Sequence, residues 1–423
     1  MKPPRITFQG LPVELQIEIF FFAISSRRSA ILSLALVCRA WKELVYETPS
    51  LWRRLVFDFS SRTTQIEADT WLKRANGVVR NLRVDRLPAQ PDLDILRNAA
   101  EDFWSKLEEL ELLGDNISKL LTEEIIRQLR LRSIYINYPG IISVRSWKIM
   151  RMLDESFTRT LRIKIGYGRI ELEDMVFSKL TTLELTGYCH SAPFFDLLRR
   201  NPALETLILT HTQFCQTDGF LGVNDPVHLP RLWRIELAGD GPFDTILRSV
   251  NAPNIAVVRL QSMCYHDIAT LCIEEVLSQN ITGIHQLYLD NCMISTQPLL
   301  SLLRSSLSLT TLMLSRNTID INQVINALCR PVSVPGLDAP HSLPCPKLQF
   351  LDVSWSSDLG TRAAKRLVRS RLENSENGLT TTQTHSGNHP LPILYLNTTG
   401  CHHIQRRALT WFRSVVPCVI HNK

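Results

Sequence analysis

A six-residue phrase, apolar-x-x-apolar-x-apolar, recurs along this chain and limits its fold more than any other feature. It reads Val79-x-x-Leu82-x-Val84, Leu107-x-x-Leu110-x-Leu112, Leu131-x-x-Ile134-x-Ile136, Leu180-x-x-Leu183-x-Leu185, Leu204-x-x-Leu207-x-Leu209 and Leu232-x-x-Ile235-x-Leu237. It continues as Ile255-x-x-Val258-x-Leu260, Ile284-x-x-Leu287-x-Leu289, Leu309-x-x-Leu312-x-Leu314, Leu348-x-x-Leu351-x-Val353 and Leu391-x-x-Leu394-x-Leu396, with a weaker copy at Thr158, Leu161 and Ile163. Steps between 79 and 309 run from 22 to 29 residues. Residues two apart share one side of a strand, and a step this short holds one strand and one return. Such a unit cannot bury its apolar face alone, so the units must stack.

The fullest copies place Cys or Asn two residues before a further apolar side chain, Cys292 with Ile294 and Asn317 with Ile319. In this form the units resemble leucine-rich repeats. The resemblance implies an α/β solenoid, an arc or horseshoe with a parallel concave sheet. Helical returns are expected at Phe194-Phe195-x-x-Leu198 and Leu299-Leu300-x-x-Leu303, and the Asn or Cys is expected to satisfy backbone groups in the turn. The last two steps lengthen to 39 and 43 residues. The insertions responsible, 331–346 with five prolines and 373–390 rich in Ser, Thr, Asn and Gly, read as exposed loops.

The first fifty residues depart from the phrase. After Leu11-Pro12, the segment VELQIEIFFFAI sets Leu15, Ile19, Phe22 and Ala23 on one helical face, while Val13, Ile17, Phe20, Phe21 and Ile24 cover much of the rest. A second helix capped by Ser29 is expected to carry Leu32, Leu34, Leu36, Val37, Cys38 and Trp41. So much apolar surface on so small a module calls for a partner. A cap shielding the first repeat would also account for it.

These residues resemble the F-box. The matching positions are Leu11-Pro12-Val13-Glu14-Leu15, Ile19-Phe20, Leu34 through Trp41, and Leu51-Trp52. The likeness is to fungal F-box-like proteins in which degenerate leucine-rich repeats follow. It implies a three-helix F-box over 8–57, a solenoid over 58–423, and binding to the Skp1 adaptor, which bridges to cullin and its RING subunit. Carried over by motif position, Leu11, Pro12, Leu15 and Ile19 on the first helix and Leu36, Val37, Cys38 and Trp41 on the second would meet the adaptor, although some of them must hold the module together. Trp52-x-x-Leu55-x-Phe57 reads as a first strand growing directly out of the F-box. The implied function is that of a substrate receptor for an SCF-type ubiquitin ligase. The alternative is a repeat scaffold that works without Skp1.

No phosphate loop, HExxH, GxSxG or CxxC occurs, and no cofactor or catalytic group is expected. Cys401-His402-His403 with Cys418 and His421 has zinc-type ligands, but the spacing is not that of a zinc finger and Cys401 falls at a turn position; Cys264-Tyr265-His266 is weaker still. The ten cysteines read as buried thiols of a reducing compartment, and a soluble cytoplasmic or nuclear protein is expected. Hydrophobic residues make up 44% of the 423, enough for a folded chain. The net charge of +6 sits in residues 361–423, where Arg362, Lys365, Arg366, Arg369 and Arg371 belong to a group of nine basic and two acidic side chains. The first four read as one solvated helix face or as a patch for an acidic partner or nucleic acid.

On the phrase itself, the positions alternating with the buried ones face the concave side. Tyr135, Arg234, Glu236, Arg259, Tyr288, Asp290, Phe350 and Tyr395 are the expected target-binding residues, with Ile393 among their exposed neighbours. Seven acids and five bases on the whole stripe do not make a nucleic-acid track, so a protein target is expected.

Overall fold

The computed structural model describes residues 8–24, 29–58, 65–77, 79–86, 102–113, 120–138, 157–173, 175, 177–215, 226–263, 268–279, 283–331, 343–380 and 390–422. The chain divides into two compact units, Met1–Leu180 and Thr181–Lys423.

The first unit opens with three helices, α1 (Val13–Ile24), α2 (Ser29–Ala35) and α3 (Arg39–Glu47). The second helix expected from sequence is therefore two. The chain leaves α2 when the N–H groups of Leu36 and Val37 fold back onto Ser33 and Leu34 in a tightened last turn. Cys38 then takes a fully extended conformation (φ −161°, ψ 169°) that starts α3. Trp41 consequently belongs to the third helix. Ser29 is the first residue of α2 rather than the residue before it.

Strands β1 (Arg54–Asp58), β2 (Asn81–Arg86), β3 (Glu109–Leu113), β4 (Ser133–Tyr138) and β5 (Thr160–Ile170) follow, with helices α4 (Gln65–Arg74), α5 (Asp102–Lys106) and α6 (Glu123–Gln128) between them. The strands are parallel neighbours in chain order. Their register sets the middle residue of each phrase in one row, Leu55, Leu82, Leu110, Ile134 and Leu161, all buried. A one-residue slip would turn that whole row to solvent, which is why the phrase dictates the register.

The second unit repeats the plan. Its strands are β6 (Thr182–His190), β7 (Thr206–Thr210), β8 (Gln213–Cys215), β9 (Val227–His228), β10 (Arg234–Ala238), β11 (Val250–Asn251), β12 (Val257–Gln261), β13 (Gln286–Asp290), β14 (Thr311–Ser315), β15 (Phe350–Asp352), β16 (Tyr395–Asn397) and β17 (Cys418–Ile420). β9 and β11 form a separate pair, β8 lies on β6, and the rest are parallel neighbours. The buried row runs Leu183, Leu207, Ile235, Val258, Leu287, Leu312, Leu351 and Leu396. The returns are α7 (Ser191–Arg200), α8 (Phe243–Ser249), α9 (Ile268–Gln279), α10 (Thr296–Ser305), α11 (Ile321–Leu328), α12 (Thr361–Thr380) and α13 (Arg406–Val415). Both sequence-expected returns lie on helices, with Phe194, Phe195 and Leu198 on α7 and Leu299, Leu300 and Leu303 on α10, all six buried. The chain is thus α/β throughout, a three-helix module followed by stacked strand-and-return repeats.

The turns close as the residue types require. Asn317 donates Nδ2–H to the Leu289 carbonyl (2.8 Å) and accepts from the Cys292 N–H at Oδ1 (2.8 Å), tying one turn to the next. Replacing Asn317 with Ala takes the acceptor from the part-buried Cys292 N–H and one donor from the Leu289 carbonyl. We expect a loss of about 1–3 kcal/mol, read from the urea midpoint. Seven residues after six of the phrase starts, from Leu204 to Leu348, His211, Gly239, Ser262, Asn291, Arg316 and Trp355 all take left-handed backbone, with φ from 49° to 89°. At Gly239 a Cβ would stand 2.5 Å from His211 Nδ1, so only glycine fits under that ring.

Two expected loops differ in the structure. Residues 332–342 and 381–389 lie outside the described residues, but Leu343, Pro344, Cys345 and Pro346 are buried and residues 373–380 continue α12. The cause is Arg371, fully buried on α12, which donates Nη1–H to the Cys345 carbonyl (2.8 Å) and Nη2–H to the Pro344 carbonyl (2.6 Å). Arg371 is therefore removed from the basic surface inferred from sequence. The remaining cations of that helix, Arg362, Lys365, Arg366 and Arg369, do reach solvent on α12, where Arg366 also donates to Asn326 Oδ1 (2.9 Å).

Candidate functional site

The N-terminal module sorts the eight expected adaptor positions by burial. Leu15 and Ile19 stand about half exposed, four residues apart on α1, and Phe22 continues the same face at 85% exposure. Leu36 (85%) and Val37 (59%) project from the turn between α2 and α3, and Pro12 is exposed at the head of α1. Leu11 is half-buried; its N–H reaches the Phe8 carbonyl (3.1 Å) and its carbonyl accepts from Gln16 Nε2 (2.8 Å). Trp41 is different. Its ring packs on Phe8 (4.7 Å between centroids) and against the fully buried Phe20 (4.9 Å), so it builds the module's core. Cys38, half-buried, starts α3. Val13, Phe22 and Leu32 join the exposed apolar set; helical spacing puts Phe22 on the face of Leu15 and Ile19, but none of the three is among the adaptor positions expected from sequence.

Isolated exposed leucines are ordinary, but seven large apolar side chains (Val13, Leu15, Ile19, Phe22, Leu32, Leu36 and Val37) exposed within one three-helix module are not. On α1, Glu14 lies away from the Leu15, Ile19 and Phe22 face, whereas the exposed Glu18, three residues after Leu15 and four before Phe22, flanks it.

The expected target stripe separates by unit. Tyr135 lies on β4 of the first unit, in register with Glu111 and Arg162. The other seven lie in the second unit. Glu236, Arg259 and Tyr288 are lateral neighbours on β10, β12 and β13. Arg234 pairs with Glu236, Arg259 Nη1 stands 3.5 Å from the same carboxylate, and the Arg259 guanidinium lies over the Tyr288 ring at 4.6 Å. Tyr288 donates its hydroxyl to Gln286 Oε1 (2.9 Å). These four side chains form one half-buried network in which two guanidinium groups share the single Glu236 carboxylate, leaving one positive charge in excess. Asp290 is more enclosed, accepting from Ser315 Oγ (2.6 Å) and from Arg316 Nη2 (2.6 Å) and Nε (3.0 Å). It anchors the left-handed Arg316, whose pKa the pair raises.

Phe350 and Tyr395 are register partners with ring centroids 6.1 Å apart. Burial, with Asp352 nearby, pushes the Tyr395 phenol upward. Ile393 is buried because the last repeat is set two residues later than the phrase expected from sequence: Leu396 and not Leu394 is in register with Leu351, Ile393 takes the first buried place, and Leu391 is exposed. Trp355 was missed, since no phrase position marks it, yet it is 54% exposed and its ring covers Gly400.

Cys401 is buried with its thiol directed at the Val353 carbonyl (3.1 Å), as suits a turn residue. Among the described residues no three His, Cys, Asp or Glu side chains converge as a metal site, and residues 264–267, which include Cys264 and His266, lie outside them. Burial pushes the Cys345 thiol up to about 12, and Cys272 still higher, leaving both protonated and poor nucleophiles. Among the described residues no helix is long and apolar enough to cross a membrane.

Residues 8–58 match the family model described as F-box-like, so the N-terminal module is an F-box-like domain. No curated protein matches the chain. Among solved structures it is similar to a chain in "Crystal structure of Rad7 and Elc1 complex in yeast", at 13% identity and a TM-score of 0.42, over 97% of this chain and 88% of that one.

Proposed function

We propose that this chain is a non-catalytic substrate receptor of an SCF-type ubiquitin ligase. The F-box-like domain docks on a Skp1-type adaptor through Leu15, Ile19, Phe22, Leu36 and Val37, and the repeats, of the leucine-rich class, hold a protein target. The observation that carries the reading is the exposed apolar surface of a domain matched as F-box-like. An exposed apolar set of this kind favours association, and desolvating it on a partner supplies the driving force. The receptor then works by effective concentration, keeping the target beside a charged conjugating enzyme instead of making or breaking bonds itself. On the target side, the network of Arg234, Glu236, Arg259 and Tyr288 and the Phe350–Tyr395 pair offer aromatic anchors beside charges of both signs, which suits a protein surface.

Co-expression with Skp1 followed by affinity capture tests the adaptor arm. Wild type should retain Skp1, and Leu36→Asp combined with Leu15→Asp should weaken retention at least about 100-fold, the cost of burying carboxylates in an apolar contact. Both residues are exposed, so the thermal midpoint of the variant should stay near wild type. Failure of wild type to retain Skp1 would reject the receptor reading and leave the Skp1-independent scaffold.

A further inference from the structure

We infer that the first unit carries a binding pocket for the dianion of a phosphate monoester, at the N-terminal ends of β2, β3 and β4. A cavity of about 370 Å³ is lined there by Arg80, Lys106, Arg130 and Arg132, with Ser105 and Glu108 at its margin and Leu107 and Phe157 as apolar walls. The volume falls in the range of small-ligand sites. This site is separate from the adaptor surface and from the concave positions, and it stands whether or not the receptor reading holds.

The strand ladder fixes the geometry. Arg80, Glu108 and Arg132 each immediately precede a strand, and backbone bonds join them in series, Glu108 N–H to the Arg80 carbonyl (2.8 Å) and Arg132 N–H to the Glu108 carbonyl (2.7 Å). Two strand spacings separate Arg80 from Arg132, about 10 Å, a gap that two guanidinium side chains can close from opposite sides onto one small anion. Arg130 approaches from the preceding turn with its guanidinium over the Phe157 ring at 5.1 Å. That stacking orients the planar group without neutralising it.

Charge then selects the ligand. Among the described lining residues, Arg80 is paired with the Glu108 carboxylate at 3.2 Å, Lys106 is engaged with a neighbour, and Arg130 and Arg132 bring two further positive charges. The surplus is too large for a single carboxylate but suits a phosphate monoester, with nearly two charges and three acceptor oxygens. The concentration is not a property of the repeat. The equivalent residues before the strands of the second unit include Glu205, Trp233, Ala256, His285, Thr310 and Gln349, which are mostly uncharged. Nor is it a track for a nucleic-acid backbone, because Glu108, Glu109 and Glu111 interrupt the cations along the sheet.

Isothermal titration of the full chain with phenyl phosphate tests the site. One saturable site is expected. Phenyl sulfate, of the same shape with one charge fewer, should bind at least about 10-fold more weakly, and Arg132→Ala and Arg130→Ala should each weaken phenyl phosphate at least about 10-fold. Glu108→Gln should tighten it. Arg130 and Arg132 are exposed, so their circular dichroism should match wild type, and Lys106→Gln provides the same comparison should either fail to fold. A phosphoserine peptide and its unphosphorylated form distinguish the sources. A phosphopeptide binding tighter than phenyl phosphate identifies a modified protein side chain, and equal affinity identifies a small phosphorylated molecule. Absence of saturable binding, equal binding of sulfate and phosphate, affinity unchanged in the arginine variants, or an oligonucleotide bound as tightly would each overturn the inference.

Discussion

Replacing Arg371 with Ala is expected to destabilise the second unit by about 3–5 kcal/mol, the range for truncating a large buried side chain and leaving an acceptor without its donor. Arg371 has no solvent exposure, and no carboxylate accompanies it among the described residues. Its partners are instead the Pro344, Cys345 and Pro346 carbonyls (2.6, 2.8 and 3.4 Å), and Nε has no partner among the described residues. Burial lowers its pKa accordingly. Two of those carbonyls keep a second donor, since the Leu348 N–H reaches Cys345 (3.0 Å) and the Leu391 N–H reaches Pro346 (2.7 Å). Pro344 alone depends on Arg371, so the hydrogen-bond loss is about 1–3 kcal/mol and the remainder is the cavity left by a long side chain.

Arg371→Met separates these contributions. Methionine fills most of the volume and removes a desolvated charge, so it should be milder than Ala by at least about 1 kcal/mol. Differential scanning fluorimetry on the three proteins reads both. Equal destabilisation by Met and Ala would show that the carbonyl contacts, and not the volume, hold residues 343–346 against α12.

Arg371 also shows where sequence reading stopped. Nothing in SRLEN distinguishes an arginine that clamps a proline-rich return from the solvated Arg362, Lys365, Arg366 and Arg369 on the same helix. Their difference is made by residues 344–346, far away in sequence. The strand rows were legible because alternation has a period of two and burial forces it on every copy. The break between α2 and α3 was not, because Leu34 through Trp41 is continuously compatible with a helix and the turn at Leu36 and Val37 is a tertiary choice. The same turn shapes the proposed adaptor surface, since it pushes Leu36 and Val37 outward while Trp41 closes over Phe8 and Phe20. On the stripe, positions were legible and availability was not. Asp290 and Arg234 face the expected way, yet the residues that occupy them, Arg316 and Glu236, sit just past the neighbouring strand β14 and two positions along the same strand.

Trp52→Ala should cost about 3–5 kcal/mol in the first unit and reduce adaptor retention without touching the proposed adaptor surface. Trp52 is 1% exposed where the helices give way to β1. Its ring meets Trp71 edge-on at 4.7 Å, the Arg74 guanidinium lies over it at 4.7 Å, and its carbonyl accepts from Trp71 Nε1 (2.9 Å). Its own Nε1–H goes to the Val45 carbonyl (2.8 Å). That carbonyl would ordinarily take the N–H four residues on, but this position is Pro49, which has none. The indole thus replaces a missing helix donor while its ring fastens α3 to the first repeat through α4. Trp52→Phe keeps most of the ring and loses the donor, so it should cost about 1–3 kcal/mol. Loss of Skp1 in Trp52→Ala should come with a lowered thermal midpoint, whereas in Leu15→Asp with Leu36→Asp it should not. A Trp52→Ala protein that melts like wild type would mean that the F-box-like helices hold together without their contact to the first repeat.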